Sequence, residues 1–313
     1  MKAEIGLTGG TGFIGGHFLA PFLAPSGTED VGGLAVRMLH RRPGDARPGI
    51  RSIQGSLEQE DALGRLVDGV DAVLHLAGSV KARSRDGFAR ANVDATARLA
   101  RLAERHGVRR FILVSSLAAT VPEASNYAWS KAEGEKAAAA ELRNCRLDIV
   151  RPPAIYGPGD RMTLPVFKQI AAGVLLVPKG GMQRFSLLHV EDLAGLLHAM
   201  LRESPDMPVV EPDDGHADGH GWKDMAQAGA AIAGRPVRVT QVPRWLLAMA
   251  AGLCDGLSGI SGAMLPLSRD KLGELYRQRW VARGDRPCGW SPKIGFAEGA
   301  GQTMQWYRDA GWI

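Results

Sequence analysis

Cysteine is nearly absent: Cys145, Cys254 and Cys288 are the only three in 313 residues. They lack metal-ligand spacing and leave an odd thiol, which argues against a disulfide framework and a zinc site and points to a reducing compartment. A membrane-spanning run is missing too, because the most apolar stretch, residues 243–267, is broken by Asp255 and several glycines. The net charge of +5 is spread rather than clustered, so a mildly basic solvated surface is favoured over a nucleic-acid face. No internal repeat or low-complexity segment stands out beyond the alanines at 137–140, which favour helix. No signal or transit segment is expected either, since Met1-Lys2-Ala3-Glu4 runs straight into an apolar run, and this favours the cytoplasm. What is present is ordinary for a soluble chain, with 45% hydrophobic and 23% charged residues and length for one large core with a smaller lobe.

The most informative stretch is Thr8-Gly9-Gly10-Thr11-Gly12-Phe13-Ile14-Gly15. It follows one short apolar run and opens another at residues 17–23, which predicts a strand, a tight turn and a helix. Glycines at 9, 12 and 15 remove side chains where the backbone turns, approaches a pyrophosphate and packs helix against sheet. Phosphates would then sit on free N–H groups at the helix N-terminus. In a chain with 40 glycines the pattern gains its meaning from its position between the right elements.

Further strands are predicted at residues 34–39, 50–54, 71–76, 110–114 and 147–150, alternating with helices at 58–67, 91–106 and a stretch beginning near Tyr127. Continuous apolar strands alternating with helices require a parallel sheet covered on both faces, a doubly wound α/β fold. Residues 1–158 would form this dinucleotide-binding unit and 159–313 mainly a smaller substrate lobe, with segments returning to the sheet. Ligands of such sheets gather at the carboxyl ends of the strands. After the second strand comes His40-Arg41-Arg42, where sites preferring NAD place an acidic residue; guanidinium groups there suit a 2′-phosphate, so NADP is favoured, with NAD open.

Ser116 follows the strand at 110–114, and Tyr127 and Lys131 lie one helical turn apart shortly after it. A lysine ammonium beside a tyrosine would lower the tyrosine pKa and make it usable as acid or base, while the serine holds a substrate oxygen. In the second half, helices are expected at 162–172 and 191–202, with Asp192 available near the start of the latter. His216 and His220 suggest a metal, but no further well-spaced ligands accompany them and a polar surface loop is favoured. Residues 243–267, with Trp245, Leu246, Leu247, Met249, Leu253, Leu257, Ile260, Met264 and Leu265, could be a lid over a lipid-like substrate, an interfacial helix or plain core.

Taken together, the glycine turn, His75-Leu76-Ala77-Gly78, Ser115-Ser116, Tyr127-x-x-x-Lys131, Arg151-Pro152-x-x-x-Tyr156-Gly157-Pro158, His189-Val190-Glu191-Asp192 and Gly289-Trp290-Ser291-Pro292 with Glu298-Gly299 resemble the extended short-chain dehydrogenase/reductases over nearly the whole chain. The resemblance implies a Rossmann fold and a catalytic Ser116, Tyr127 and Lys131, the lysine also bonding the nicotinamide ribose. It implies phosphate contacts at Gly9, Gly12, Phe13 and Ile14, and Arg41 on a 2′-phosphate. Leu76, Ala77 and Gly78 would line the adenosine side, and Pro152 and Pro153 would lie near the nicotinamide. Ser56 and Leu57 stand where relatives often carry Asp-Leu, so the adenine contact loses a carboxylate.

Leu117-Ala118 replaces the acidic pair of sugar dehydratases, and Ala154 replaces the asparagine typical of sugar-nucleotide epimerases. The flanking prolines resemble the hydroxysteroid dehydrogenase and dihydroflavonol reductase branches. The implied activity is interconversion of a hydroxyl and a ketone on a hydrophobic small molecule, of sterol, polyketide or acyl type. A nucleotide-sugar epimerase using the same triad is the alternative. The local run from Ser125 to Glu135 is also similar to the complex I accessory subunit, which holds NADPH without catalysis. A homodimer paired through the helices at 91–106 and 130–142 is implied by resemblance alone.

Overall fold

The computed structural model describes residues 3–23, 33–180, 183–261 and 268–313, with the side chains of 256–261 outside that description. Strand β1 (Ala3–Thr8) enters the glycine turn and α1 (Phe13–Leu23) leaves it. There follow β2 (Leu34–His40), β3 (Arg51–Gln54), α2 (Glu60–Val67) and β4 (Ala72–His75). The short α3 (Arg85–Phe88) then passes through a π-helical turn at Ala89–Asp94 into α4 (Ala95–Arg105). Strand β5 (Arg110–Val114), α5 (Asn126–Glu141) and β6 (Arg146–Val150) complete the first half.

The second half comprises β7 (Ala154–Tyr156), α6 (Leu164–Ala171), β8 (Val174–Pro178), β9 (Arg184–Phe185) and β10 (Leu187–His189). It continues with α7 (Val190–Arg202), β11 (Val209–Val210), α8 (Trp222–Ala233), β12 (Arg238–Val242) and α9 (Arg244–Ser261). The chain closes with α10 (Leu272–Tyr276), β13 (Arg279–Trp280) and α11 (Phe296–Asp309).

The central sheet has seven parallel strands in the order β11-β6-β5-β4-β1-β2-β3. Its order reverses between β1 and β4, which opens a crevice at their carboxyl ends. The apolar strands divide their side chains with the period of two that a pleated strand imposes. Leu74, Ile112 and Val114 enter the core shared with Phe18 of α1 and Leu193 and Leu196 of α7, whereas Val73, Phe111 and Leu113 enter the core shared with Leu63 and Leu66 of α2 and Leu99 of α4. Burial on both faces is why these strands read as unbroken apolar runs.

Two parts of the second half thus serve the first: β11 extends the sheet beyond β6, and α7 covers one face beside α1. The remainder packs around a third core with Tyr156, Phe167, Leu175, Phe185, Met225 and Tyr307. Asp192 does not cap α7, as its position at the helix start suggests. His189 takes that role through the amide of Glu191, and the Asp192 carboxylate instead accepts from the amides of Lys293 and Ile294, both at 2.9 Å, tying down the C-terminal segment. Residues 211–221 form a loop in which His220 Nε2 lies 2.6 Å from Asp214 Oδ2, and among the described residues no three His, Cys, Asp or Glu side chains converge as a metal site.

The apolar stretch after Pro243 is helical as α9, and no described helix is long and apolar enough to cross a membrane. The side chains of Leu257 and Ile260, together with Met264 and Leu265, lie outside the described residues.

Candidate active site

The glycine turn closes against the end of β4. Gly9 has φ +76°, and a Cβ on it would lie 2.6 Å from the Ala77 nitrogen, so a side chain is excluded twice over. A Cβ at Gly15 would fall 2.6 Å from the Gly10 Cα, which lets α1 begin directly against the turn. The amide of Gly12 donates to Gly9 O at 3.0 Å and that of Gly16 to Gly12 O at 2.9 Å. Phe13 stays partly exposed with its ring edge-on to His17, and Ile14 packs on the core. His17 Nε2 lies 2.9 Å from Pro158 O, which links α1 to the loop after β7.

Beneath the turn runs a buried polar chain. Thr96 Oγ1 donates to Asn92 O at 2.8 Å, leaving it free to accept from His75 Nε2 at 3.0 Å. His75 Nδ1 then accepts from Thr8 Oγ1 at 2.6 Å, and Thr8 in turn accepts from the Ala77 amide at 3.3 Å. This pattern requires a neutral histidine protonated at Nε2, and burial, with Lys131 nearby, indeed pushes His75 down to about 3.

Asn92 is the hub of the crevice, a residue that periodicity hides inside a helix. Its amide nitrogen donates to Ser79 O and Ser130 Oγ, both at 2.9 Å, and its oxygen accepts from the Ser79 amide at 2.6 Å. The π-helical turn carries Asn92 into this position, and α5 approaches so closely that a Cβ at Gly134 would lie 2.5 Å from Asn92 O. Gly78 lines the same space: a Cβ there would be 3.1 Å from Asn92 Oδ1 and 3.8 Å from Lys131 Nζ.

Ser116, Tyr127 and Lys131 come together at the carboxyl end of β5. Ser116 Oγ accepts from the Ala118 amide at 3.2 Å, and its hydroxyl is near enough to Tyr127 to favour the tyrosinate. Ser125 caps α5 through the Ala128 amide at 3.0 Å and so fixes the turn that carries Tyr127. The electrostatics depart from the simple spacing argument. Lys131 Nζ donates to Val114 O at 2.9 Å, and Tyr127 is not lowered but pushed up to about 12, by burial first and by the Glu274 carboxylate, against a lowering hydrogen bond from Ser116. Burial also brings Lys131 down to about 8, with Glu135 pulling the other way.

Glu135 and Arg151 brace this arrangement. The Glu135 carboxylate takes the Ser115 hydroxyl and both Nε and Nη2 of Arg151, at 3.0 and 2.6 Å, so β5, α5 and the end of β6 are locked by one charged cluster. Pro152 and Pro153 are buried next to it, and Pro152 O accepts from the Leu117 amide at 2.8 Å.

At the opposite end of the crevice, beyond β2 and β3, Arg41, Ser52, Gln54, Ser56 and Arg65 line an open cavity of about 620 Å³. Leu57 is not part of it; its side chain packs on the core and its carbonyl accepts from Arg98. Leu76 likewise packs on the core, and only its backbone meets the turn, against Gly9. Together the backbone cradle at Gly9, Gly12 and Gly15, the basic cavity and the Gly78–Lys131 space fit a dinucleotide lying across the sheet.

The sequence profile of the NAD dependent epimerase/dehydratase family matches residues 5–210. The chain belongs to this family, within the extended short-chain dehydrogenase/reductases, and is an NAD(P)-dependent oxidoreductase. Along its full length it is similar to ceramide reductase of Caulobacter vibrioides, 37% identical over 318 residues, covering 100% of this chain and 96% of that one. UDP-glucose 4-epimerase of Vibrio cholerae is 24% identical over 336 residues, covering 99% and 97%. The Bordetella bronchiseptica enzyme WbmG, solved in complex with NAD and UDP, has the same fold, with a TM-score of 0.72, 18% identity and coverage of 98% and 95%.

Proposed function

We propose that this enzyme reduces a ketone on a long-chain, ceramide-type lipid, with NADPH as the preferred reductant. The observation that carries the chemistry is the placement of Ser116 at the end of β5, Tyr127 in the first turn of α5 capped by Ser125, and Lys131 one turn on with its Nζ on Val114 O. The lipid class is supported by the full-length similarity to a ceramide reductase. When bound, the nicotinamide supplies the hydride. Ser116 donates a hydrogen bond to the ketone oxygen and holds it beside Tyr127, which gives that oxygen its proton. A tyrosine pushed up to about 12 keeps its proton at neutral pH, which suits a donor in reduction better than a base in oxidation. The Lys131 ammonium then faces the tyrosinate until solvent restores its proton, and also holds the nicotinamide ribose.

In this reading Gly9, Gly12, Phe13 and Ile14 present the phosphate cradle, and Arg41 meets the 2′-phosphate. Ser56 borders the adenosine, Leu76, Ala77 and Gly78 back it, and Pro152 and Pro153 frame the nicotinamide. The lobe built from residues after 158, apart from α7 and β11, encloses the substrate. The enzyme works in the cytoplasm as a homodimer and meets its lipid at a membrane surface.

The test is to mix the purified protein with NADPH and a detergent-dispersed ceramide-type ketone, following loss of reduced cofactor and gain of two hydrogens in the lipid by mass spectrometry. Stoichiometric reduction is expected, and faster than with NADH. Interconversion of UDP-sugars without net cofactor consumption, and no lipid product, would instead make it an epimerase.

A further inference from the structure

Of the ten large apolar side chains that stand exposed among the described residues, six fall in one region: Leu176, Val239, Trp245, Leu246, Met249 and Leu253. Strands β8 and β12 pair as a two-stranded ribbon, and β12 runs within two residues into α9. Along α9, Trp245, Met249 and Leu253 recur every fourth residue, so they share one face, and they are 63, 57 and 67% exposed while Ala251 is fully buried. Among the described residues, the helix is held by one face and offers Trp, Met and Leu on the other, with nothing packed over them.

The charges of the same region are mostly of one sign, Asp255 near the end of the described part of α9 being the exception and accepting from the Arg269 amide. Segments 168–179 and 235–254 contain Lys168, Lys179, Arg235, Arg238 and Arg244 and no aspartate or glutamate, and all five basic side chains are exposed. Apolar side chains that insert, bordered by cations that reach outward, match a bilayer interface with acidic headgroups. Arg244 rests on the Tyr276 ring and Arg235 donates to Ala171 O, but a protein partner of neutral surface would leave this cationic border without an opposing charge.

The region is also wired to the reaction centre. Arg269 donates its amide to Asp255 of α9 at 3.1 Å, and the Arg244 guanidinium lies 4.8 Å from the Tyr276 ring centroid. The segment between those two residues reaches the start of α5: Asp270 accepts from the Asn126 amide at 3.0 Å, and Glu274 accepts from Ser125. Helix α9 is therefore one short segment away from Tyr127.

We propose that the β8–β12 ribbon and the Trp245/Met249/Leu253 face of α9 form a docking surface for an anionic lipid bilayer, at the mouth through which the lipid substrate reaches Tyr127. The surface stands on its own geometry, and only its role in substrate delivery rests on the lipid-ketone reading.

Sedimentation of the full chain with phosphatidylglycerol/phosphatidylcholine vesicles tests it against vesicles of phosphatidylcholine alone. Binding to the anionic vesicles is expected to exceed that to neutral ones by about tenfold and to weaken with added salt. The triple variant Trp245→Ser, Met249→Ser, Leu253→Ser should lose binding by about tenfold or more while still turning over detergent-dispersed ketone. A second variant, Lys179→Gln with Arg238→Gln, leaves the apolar face intact and should lose the anionic preference alone. Wild-type protein that stays in the supernatant, or a triple variant that binds vesicles as well as wild type, overturns the proposal. So does a face that proves to hold a second copy, seen as a smaller species for the triple variant in gel filtration with no vesicle binding by wild type. Vesicle binding without turnover of any lipid ketone would sink the proposed activity and leave the docking surface standing.

Discussion

The two ends of the crevice are built on opposite principles. Around Tyr127, hydroxyls, amides and charges are buried or half-buried and tied to one another: Asn92 bridges Ser79 and Ser130, Glu135 holds Ser115 and Arg151, and Lys131 is anchored on Val114 O. Around Arg41 the cavity is open, its arginine is exposed, and its lining is loosely tied serine, glutamine and arginine. A cross-braced end fixes atoms to the precision proton transfer needs, since a donor that wanders loses its advantage. A wet, cationic end attracts phosphate without fixing it, and its contribution is screened and tunable. Substitutions at the first end should therefore change turnover, and at the second, affinity.

The largest effect is expected from Tyr127→Phe. Removing the proton donor should lower kcat by about 10²–10⁴-fold while NADPH affinity stays within a few-fold. Stopped-flow turnover and fluorescence titration with NADPH separate the two, and an equal loss in both would erase the contrast between the ends. The pH profile carries the same information. Tyr127, pushed up to about 12, remains protonated through neutral and mildly alkaline pH, so reductive kcat should not lose its donor there. Lys131, lowered to about 8, is charged below that pH and neutral above it. The alkaline decline of reduction should thus begin near pH 8 in wild type, and Lys131→Met should abolish that limb.

Arg41→Ser sharpens the other side of the comparison with a smaller change. Losing one charge-assisted phosphate contact in a solvated cavity should weaken NADPH by about tenfold, leave NADH unchanged and spare kcat at saturation. The NADPH preference should also shrink as salt is raised, because the cavity is open to solvent. If NADH and NADPH weaken equally, Arg41 does not read the 2′-phosphate.

The braced end was also the less legible of the two. The glycine turn, the sheet strands and the Tyr127-x-x-x-Lys131 spacing are local patterns, and the chain folds them where local physics puts them. Asn92 and Glu135 sit in helices whose periodicity hides them, and each draws its meaning from partners 13 to 38 residues away. Spacing also places Lys131 one turn from Tyr127 without saying where its ammonium points, and in the fold it points to Val114 O, so spacing alone does not give the direction of the tyrosine shift. Strand β11 is only Val209–Val210, too short to carry a period, and its place in the sheet follows from pairing with β6. Helix α9 showed its apolar content in sequence, yet which of those residues stay uncovered depends on packing.

The smallest expected effect probes how the second half of the chain reaches the braced end. Glu274, on α10, accepts from Ser125 at the cap of α5 and raises Tyr127 by its charge. The other groups beside the tyrosine are Ser116, which favours its ionised form, and the Phe88 ring, 6.1 Å away between centroids; Lys131, one turn on, points its Nζ to Val114 O. Glu274 itself is flanked by Asp270 and Lys271. Glu274→Gln keeps an oxygen for Ser125 but removes the negative charge, so the tyrosinate becomes easier to form and the Tyr127 pKa falls. The alcohol-oxidation rate, which needs the tyrosinate, should then begin to rise at lower pH than in wild type, by less than about one unit, with kcat for reduction changed only a few-fold. Glu274→Ala would give the same displacement with an added loss of thermal stability, because Ser125 would lose the acceptor that orients its hydroxyl. An unmoved oxidation profile in both variants would mean that α10 supports the catalytic helix mechanically and leaves its electrostatics to burial and Ser116.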